Sequence, residues 1–501
     1  MDILQNLILG LETAFALQNL FYCLLGVILG TAIGILPGLG PITTIALLLP
    51  VTFGLSADAA LIMLAGIYYG AQYGGSTAAI LVNLPGESSA VVTAIDGYQL
   101  ARKGRAGHAL AIAAIGSFVA GTLATLLIAL LSPPLASLAL SFGPADYFSL
   151  MLLGLVASVI ISRGSLLHAF GMILLGLLLG TAGTDVSSGI ARFTFGEPRL
   201  FGGFDFVVIS VALFGIGEII ANIERGEDGM TSTYEVGSLF PSFADLKRSV
   251  MPILRGTGIG ALLGILPGGG AMLGSFTAYA VEKKISPNRK EFGHGAIEGV
   301  AAPESANNAG AQTSFIPMLT LGIPSNPVMA LMIGAMIIQG IQPGPAVMAR
   351  QPELFWGIIA SMWVGNVFLL ILNLPMIGLW VRLISAPYRF LFPMIVVFCV
   401  IGAYSISNAS FEVFLMAGFG LLGYALRKID CEPAPLILAF VLGPMIEAYL
   451  RRAMLLSGGD PMVFLQRPIS ATLLACGAIL IAIVLLPMAR RTRAVAFEEE
   501  A

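Results

Sequence analysis

The sequence Gly34-Ile35-Leu36-Pro37-Gly38-Leu39-Gly40 returns later in the chain as Gly264-Ile265-Leu266-Pro267-Gly268-Gly269-Gly270. The offset is 264 − 34 = 230 residues, slightly less than half of the 501-residue chain. Gly26 and Gly30 recur at the same offset, as Gly256 and Gly260. The chain therefore consists of two related halves that interrupt an apolar segment at the same place. In membrane proteins, Gly/Pro-interrupted segments at matching positions of two halves point to a transporter's binding site.

The composition predicts a membrane protein. Hydrophobic residues make up 57% of the chain and charged residues only 11%, and the mean hydropathy is +0.92. A water-soluble protein cannot bury so much apolar surface, and continuous apolar runs favour helices over a barrel. We expect an all-α polytopic membrane protein with about 11 or 12 transmembrane helices plus re-entrant or broken helices, since a span needs roughly 20 apolar residues. Basic tracts with interleaved aromatic residues are missing, so no nucleic-acid partner is expected.

The distribution of polar residues predicts the domain organisation. Residues 223–252 form the only long polar stretch and are interpreted as a linker. Residues 1–222 are then the first membrane repeat, and residues 253–501 are the second repeat with extra C-terminal helices.

Positive charges predict how the halves are oriented. The loop 96–107 contains three basic residues and its counterpart 340–352 contains one, whereas loop 283–291 is basic and its counterpart 51–58 has no Lys or Arg. Because Lys and Arg favour the cytoplasmic side, matching loops are expected on opposite sides of the membrane, as in an inverted-topology repeat. The basic C-terminal residues near 490–493 place the C-terminus in the cytoplasm on the same rule.

The interrupted segments are the first candidate substrate site. Proline removes a backbone donor, glycine permits unwound backbone, and the helix that restarts presents free N–H groups and a positive dipole end. An ordinary kink or close helix packing is the alternative interpretation. The candidate residues are Gly38, Gly40, Thr43, Gly268, Gly269 and Gly270.

A second polar constellation follows in each half. Residues 70–77 lead to 83–89, and residues 310–314 lead to 322–327. Amides and hydroxyls without partners are costly in lipid, so they line a cavity, a water path or a helix interface. Hydrogen bonding between helices is the alternative. The candidate substrate ligands are Ser76, Thr77, Asn83, Gly86, Ser325 and Asn326.

An acidic residue at membrane depth suggests a cation. Glu304, Asn307 and Asn308 offer oxygen ligands within about one helical turn, and Gln72 and Gln312 add amide oxygens. Carboxylate and amide oxygens suit Na⁺, although H⁺ carried by Glu304 would look the same in sequence. A helix cap at the membrane interface is the alternative reading of this motif.

The absence of basic residues indicates how an anion would be bound. Residues 1–101 and 291–349 contain no Lys or Arg, although they hold most of the candidate site. The charge of an anionic substrate is then met by helix N-termini, backbone N–H groups, amides and hydroxyls, helped by a co-bound cation. No nucleophile elbow, P-loop or HExxH motif is present, so the chain is not expected to be an enzyme or to carry a resident cofactor.

Several motifs together give the chain a family resemblance. They are Gly34–Pro41, Gly70–Thr77 with Asn83–Glu87, Asp96–Arg102, Gly264–Gly270, Ala302–Ala309, Gly322–Asn326 and Gly340–Pro345. Over nearly its whole length the chain resembles the large membrane subunit, TctA-type, of the tripartite tricarboxylate transporter family.

The resemblance implies a secondary transporter for di- or tricarboxylates in the bacterial inner membrane. It also implies coupling to Na⁺ or H⁺, a small four-helix membrane subunit and a periplasmic solute-binding protein that delivers substrate. Similarity to other inverted-repeat carboxylate transporters suggests an elevator motion. Two rival functions are a passive channel or stand-alone permease that needs no binding protein, and an intramembrane enzyme.

Overall fold

The computed structural model describes residues 3–36, 39–84, 86–161, 165–185, 188–224, 236–266, 270–384 and 388–485. Within these ranges the chain is almost entirely helical, and the one sheet is an antiparallel pair, β1 Gly183–Thr184 with β2 Ala191–Arg192. The α-helices are α1 Ile3–Phe15, α2 Leu17–Gly34, α3 Pro41–Leu48, α4 Ala57–Val82, α5 Val91–Arg102, α6 Ala106–Ala139, α7 Pro144–Ile161, α8 Leu166–Gly180, α9 Phe206–Ser210, α10 Gly217–Glu224, α11 Phe243–Ile265, α12 Gly270–Ile285, α13 Glu298–Thr313, α14 Phe315–Leu321, α15 Pro327–Ile338, α16 Ala346–Arg350, α17 Pro352–Asn373, α18 Ile377–Ile384, α19 Tyr388–Ser407, α20 Ser410–Lys428, α21 Ala434–Leu456, α22 Val463–Gln466 and α23 Pro468–Leu485. Short 3₁₀ turns cover Leu49–Thr52, Ser88–Ala90 and Pro198–Gly202, and a π-helical turn covers Val211–Ile216.

The predicted fold class, an all-α polytopic membrane protein, is confirmed. In the described part of the chain, five helices are long and apolar enough to cross a membrane: α2, α6, α17, α20 and α21. Shorter apolar helices, among them α8 and α15, lie between them. The total of about 11 or 12 crossings stays a prediction. Helix α11 begins at Phe243, inside the segment assigned to the linker.

Glycines bring α2 against α4 at backbone distance. Side chains at three glycines of α2 would overlap backbone atoms of α4, so the helices touch where no side chain intervenes. The contacts are Gly26 with Met63, Gly30 with Ile67 and Gly34 with Ala71. Both sets of numbers rise together, so α2 and α4 run in the same direction. The chain therefore comes back between them, through α3 and the turn that follows it.

The second half repeats this packing between α11 and α13. The contacts are Gly256 with Ala302, Gly260 with Ala306 and Gly264 with Gly310. The glycines are displaced by 256 − 26 = 230 residues and their partners by 302 − 63 = 239. Helices α11 and α13 also run in the same direction, so α11 and α12 form a hairpin that returns to the end where it began. Close packing of helices, one alternative interpretation of the interrupted segments, applies to their first glycines, Gly34 and Gly264.

Polar contacts fix the directions of α6 and α17. A Cβ on Gly116 of α6 would meet Ser305 of α13, and one on Gly121 would meet Gln312, so α6 and α13 run in the same direction. Helix α17 runs against α6, since Asn366 donates to the Phe118 carbonyl at 2.8 Å and Trp363 to the Thr122 carbonyl at 3.2 Å. Helix α17 runs with α2, because Ser361 accepts from Cys23 and Gly365 lies beside Val27.

Two loop contacts tie the halves together at opposite ends. Lys103, which follows α5, donates to the carbonyl of His294, between α12 and α13. Gln339, which follows α15, donates at 3.2 Å to the carbonyl of Thr52, between α3 and α4. The end of α5 thus contacts the turn after the α11–α12 hairpin, and the end of α15 contacts the turn after α3.

Candidate functional site

A cavity of about 950 Å³ is lined by residues from both halves of the chain. It gathers many of the residues that the sequence singled out as ligands. The predicted residues that line it are Gly40, Thr43, Gln72, Gly86, Gly270, Ser325 and Asn326. The interrupted segment and the second polar constellation of each half therefore face one space.

Several helices begin at this cavity. The lining includes the first residues of α3, α12 and α15 and the 3₁₀ turn Ser88–Ala90 that leads into α5. The first N–H groups of a helix have no partner within the helix, and its N-terminal end carries partial positive charge. The cavity walls consequently present backbone donors from both halves, which is an arrangement suited to an anion.

The start of α15 is built by a specific cap. Asn326 accepts a hydrogen bond from the backbone N–H of Met329 at 2.9 Å, and Pro327 occupies the first turn. Ser325, directly before the cap, donates to the carbonyl of Ser314 at 3.3 Å. These bonds hold the loop between α14 and α15 so that its amide and hydroxyl lie at the cavity wall.

Glu87 also lines the cavity, although sequence reasoning did not choose it as a ligand. Its Oε1 accepts a hydrogen bond from the Asn307 side chain at 2.9 Å. A Cβ on Gly75 would lie 3.1 Å from the Glu87 Cγ, and one on Gly86 would overlap the Gly34 carbonyl. The loop after α4 therefore packs closely against α2 and α4. This packing places the Glu87 side chain within hydrogen-bond distance of α13. The available signal in the sequence was an acidic residue within the polar stretch 83–89 of the first half.

Glu304 has different surroundings. It is buried, 1% exposed, and its carboxylate accepts from the Ser76 hydroxyl at 2.6 Å and the Thr93 hydroxyl at 2.5 Å. Ser76 belongs to α4 and Thr93 to α5, so the carboxylate joins α13 to two helices of the other half. Glu304 is absent from the cavity lining.

Two other predicted cation ligands are engaged between helices. The Gln312 Oε1 accepts from the Thr125 hydroxyl at 2.7 Å. The Asn308 amide donates to the Ser117 hydroxyl at 2.7 Å and to the Glu304 carbonyl oxygen at 3.1 Å. Hydrogen bonding between helices, the alternative interpretation of the second polar constellation, therefore describes Gln312. Asn308 also bonds across helices, whereas the alternative for its motif was a helix cap. In the described part of the chain, no group of three His, Cys, Asp or Glu residues could hold a metal ion.

Some predicted ligands lie elsewhere. Asn83 ends α4 in the left-handed conformation, with φ of 57°, and its side chain is exposed outside the cavity lining. Thr77 donates to the Tyr73 carbonyl within α4 at 3.1 Å. Neither Ser76 nor Thr77 lines the cavity. The predicted ligands Gly38, Gly268 and Gly269, like Pro37 and Pro267, lie outside the described residues.

The cavity lining also includes residues that were not predicted as ligands from the sequence. Arg427, in the last turn of α20, lines the wall and forms an ion pair with Glu218. His168 and Tyr68 line it as well, and the Tyr68 ring lies 6.3 Å from that of Phe315. Arg427 could not be assigned to the site from sequence because it comes from a helix outside both repeated motifs.

The fold and the cavity define a multi-pass helical membrane protein whose two halves line one chamber. The comparison with protein families makes this class specific. The model of the "Tripartite tricarboxylate transporter TctA family" matches residues 20–438, and the chain belongs to this family. It is therefore a membrane subunit of a tripartite transport system, and the family is one of transporter subunits rather than of enzymes.

Two relatives from Agrobacterium vitis are similar to the chain. The first, named "Uncharacterized 52.8 kDa protein in TAR-I ttuC' 3'region", is 58% identical over 500 residues, with 100% of each chain covered. The second, "Uncharacterized protein in TAR-II ttuC' 3'region", is 61% identical over 241 residues, which are 48% of this chain and 100% of the relative. No solved structure matches the chain significantly.

Proposed function

We propose that this chain is the translocating subunit of an ion-coupled importer for di- or tricarboxylates. It acts with a small four-helix membrane subunit and receives substrate from a periplasmic binding protein. The family membership supports the tripartite assembly. The observation that carries the choice of an anionic substrate is the cavity at which helices of both halves begin.

The chemistry of the cavity walls favours a substrate that carries carboxylate groups. The N-termini of α3, α12 and α15 supply backbone donors and positive dipole ends, and Ser325 and Asn326 add side-chain polarity. Arg427 is paired with Glu218, so its charge is largely balanced before any substrate arrives. A substrate carboxylate thus meets helix ends and amides, together with the Arg427 Nε–H, which has no acceptor among the described residues.

We infer that the two halves are inverted repeats. Helix α2 runs with α17, α17 runs against α6, and α6 runs with α13, so the first half lies antiparallel to the second. The exchanged contacts Lys103–His294 and Gln339–Thr52 support the same relation. On this arrangement the pairs α2–α3 and α11–α12 re-enter rather than cross, and α3 and α12 approach the cavity from opposite faces.

The membrane orientation follows from the basic end of the molecule. Lys103 contacts the loop that contains Arg289 and Lys290, and Arg105 pairs with Asp245 at 2.8 Å at the start of α11. We assign this end to the cytoplasm of a bacterial inner membrane, and the basic residues near 490–493 place the C-terminus on the same side.

The test is uptake of radiolabelled citrate and shorter dicarboxylates into proteoliposomes that contain the chain with its two partner subunits. We expect uptake that requires the binding protein and rises with an inward Na⁺ or H⁺ gradient. Uptake that ignores both gradients contradicts ion coupling. Full activity without the binding protein favours the rival function, a channel or stand-alone permease.

A further inference from the structure

Three side chains form a cluster at the cavity wall: Gln72 of α4, Glu87 of the following loop and Asn307 of α13. Gln72 and Glu87 line the cavity directly. Asn307 is 0% exposed and donates to the Glu87 carboxylate at 2.9 Å. Gly75, about one helical turn after Gln72, packs against Glu87, so α4 and the loop present Gln72 and Glu87 to the same region.

Two oxygens of this cluster have no hydrogen-bond donor in the part of the chain that the structure describes. They are the Oδ1 atom of Asn307 and the Oε1 atom of Gln72, which belongs to a side chain 2% exposed. A buried amide oxygen without a donor is unfavourable. The Asn307 amide is hydrogen-bonded to the Glu87 carboxylate, and Gln72 and Glu87 line the same cavity, so the two amide oxygens and the carboxylate are available to one ligand.

We propose that Gln72, Glu87 and Asn307 bind the coupling ion, and that this ion is Na⁺. The inference rests on the proposed function, because it names the ion and its ligands in the same cavity. Carboxylate and amide oxygens are ligands for hard cations. A single carboxylate with two neutral oxygens balances one positive charge, which suits a monovalent ion better than Ca²⁺ or Mg²⁺.

These proposed ligands do not include Glu304, the acidic residue that the sequence favoured as the cation ligand. Both oxygens of Glu304 already accept hydrogen bonds, from Ser76 and Thr93, and the Gln312 oxygen accepts from Thr125. Those groups hold helices of the two halves together. By contrast, the Asn307 side chain that bonds Glu87 keeps an oxygen without a donor, and so does Gln72 at the wall of the same cavity.

The position of the site explains coupling. The Glu87 carboxylate lines the same cavity as the helix N-termini that receive the substrate carboxylate. Without a cation the two negative groups repel each other, and with Na⁺ bound the repulsion becomes attraction through the ion. Na⁺ therefore strengthens substrate binding, and by linkage the substrate strengthens Na⁺ binding by the same factor.

The experiment measures saturable binding of radiolabelled Na⁺ to the purified full-length chain. We expect Glu87→Gln, Gln72→Met and Asn307→Leu each to weaken binding by on the order of 100-fold, since losing even an outer partner of a metal site costs 10–100-fold. In uptake assays, Glu87→Gln is expected to make substrate affinity independent of Na⁺, because the repelling charge is gone.

The matched control is Asn373→Leu. Asn373 in α17 is also buried, and its Oδ1 also lacks a donor among the described residues, but it is absent from the cavity lining. The control makes the same chemical change as Asn307→Leu, and Na⁺ affinity should stay at the wild-type value. A monodisperse elution profile shows that each variant is folded.

The outcomes separate this inference from the proposed function. No saturable Na⁺ binding by the wild type, with uptake driven by a pH gradient, overturns the Na⁺ site and leaves carboxylate import standing. Loss of Na⁺ binding in Glu304→Gln but not in Glu87→Gln overturns the choice of ligands. Intact Na⁺ binding without carboxylate uptake contradicts the proposed function and leaves the Na⁺ site supported.

Discussion

At the scale of single residues, the acidic side chains Glu87 and Glu304 have different roles because their neighbours differ. Glu304 is enclosed by hydroxyls of α4 and α5, whereas Glu87 faces the cavity beside an amide. Sequence reasoning favoured Glu304 because it lies within an apolar segment. Burial alone does not identify a binding residue, because a hydrogen-bonded carboxylate can serve as a link between helices.

Asn326 offers a residue-scale test of the substrate site. Asn326→Ala removes the cap of α15 and a polar group of the cavity wall. We expect the KM for carboxylate uptake to rise about tenfold or more, since a hydrogen bond to a charged group contributes about 1.5–3 kcal/mol. Uptake kinetics in proteoliposomes measure this change.

Ser242→Ala is the matched control for Asn326→Ala. Ser242 caps α11 by accepting from the Asp245 N–H at 3.1 Å, and it is absent from the cavity lining. Each substitution should destabilise its helix by about 1 kcal/mol through loss of the cap. Only Asn326→Ala should change the KM, and an equal change in both variants would assign the effect to stability.

At the scale of helices, the repeated glycines do more than interrupt the chain. Before each break they form a face on which α2 meets α4 and α11 meets α13 at backbone distance. A face of small residues sets the register of such a pair, because any side chain there would clash with the backbone opposite. This register places the start of α3 and the start of α12 at the cavity.

Two glycines of α11 test this packing. A Cβ on Gly260 would overlap the Ala306 carbonyl, while a Cβ on Gly258 would have no neighbour within 4 Å. Gly260→Ala should destabilise the protein by about 1–3 kcal/mol, the usual cost of overpacking. Gly258→Ala should stabilise it by roughly 0.5–1 kcal/mol, because alanine favours a helix. Thermal unfolding of the detergent-solubilised chain compares them, and equal melting temperatures would contradict the packing.

Asp96 joins α5 to the loop before α13. Its Oδ1 accepts from the backbone N–H groups of Gly293, Gly295 and Ala296 at 2.8–2.9 Å, and its Oδ2 accepts from the Tyr279 hydroxyl at 2.9 Å. Sequence reasoning used the stretch that begins at Asp96 for the charge comparison of the loops and for the family resemblance. The structure places Asp96 within α5 and gives its carboxylate a structural role.

Removing Asp96 should therefore be costly. Asp96→Ala is expected to destabilise the protein by at least about 3 kcal/mol, since three backbone N–H groups that bond a fully buried carboxylate lose their acceptor at roughly 1 kcal/mol or more each. Tyr279→Phe removes a single hydrogen bond and should cost only about 1 kcal/mol. Thermal unfolding ranks the two variants, and an equal loss in both would show that the N–H groups find other partners.

At the scale of the whole molecule, the halves meet through exchanged contacts at opposite ends. One end joins the loop after α5 to the turn before α13, and the other joins the loop after α15 to the turn before α4. The cavity lies between the two sets of helix starts. An anion in this position contacts both halves, so a relative movement of the halves would change its access.

Labelling with a membrane-impermeant maleimide tests the proposed orientation. The variants Lys290→Cys and Val51→Cys, in a chain freed of native cysteines, place exposed thiols at opposite ends of the molecule. In intact cells we expect the reagent to label the cysteine at 51 and to reach the one at 290 only after the membrane is permeabilised. Labelling of both in intact cells contradicts the assignment of the ends.

The sequence alone determined the class of the fold, the presence of two related halves and the positions of their breaks. Composition and glycine spacing are local properties that decide which segments leave water and where a helix can be interrupted. They also led to Gly40, Gly270, Ser325 and Asn326, which line the cavity.

Only the tertiary structure decided which polar residues meet. Glu87 contacts Asn307 although 307 − 87 = 220 residues separate them, and Arg427 reaches the cavity from a helix beyond both motifs. Such contacts depend on the register and direction of packed helices, and no local sequence pattern specifies these. The same packing places Glu304, Asn308 and Gln312 in hydrogen bonds between helices. By contrast, Gln72 and Asn307 each have one oxygen without a hydrogen-bond donor among the described residues.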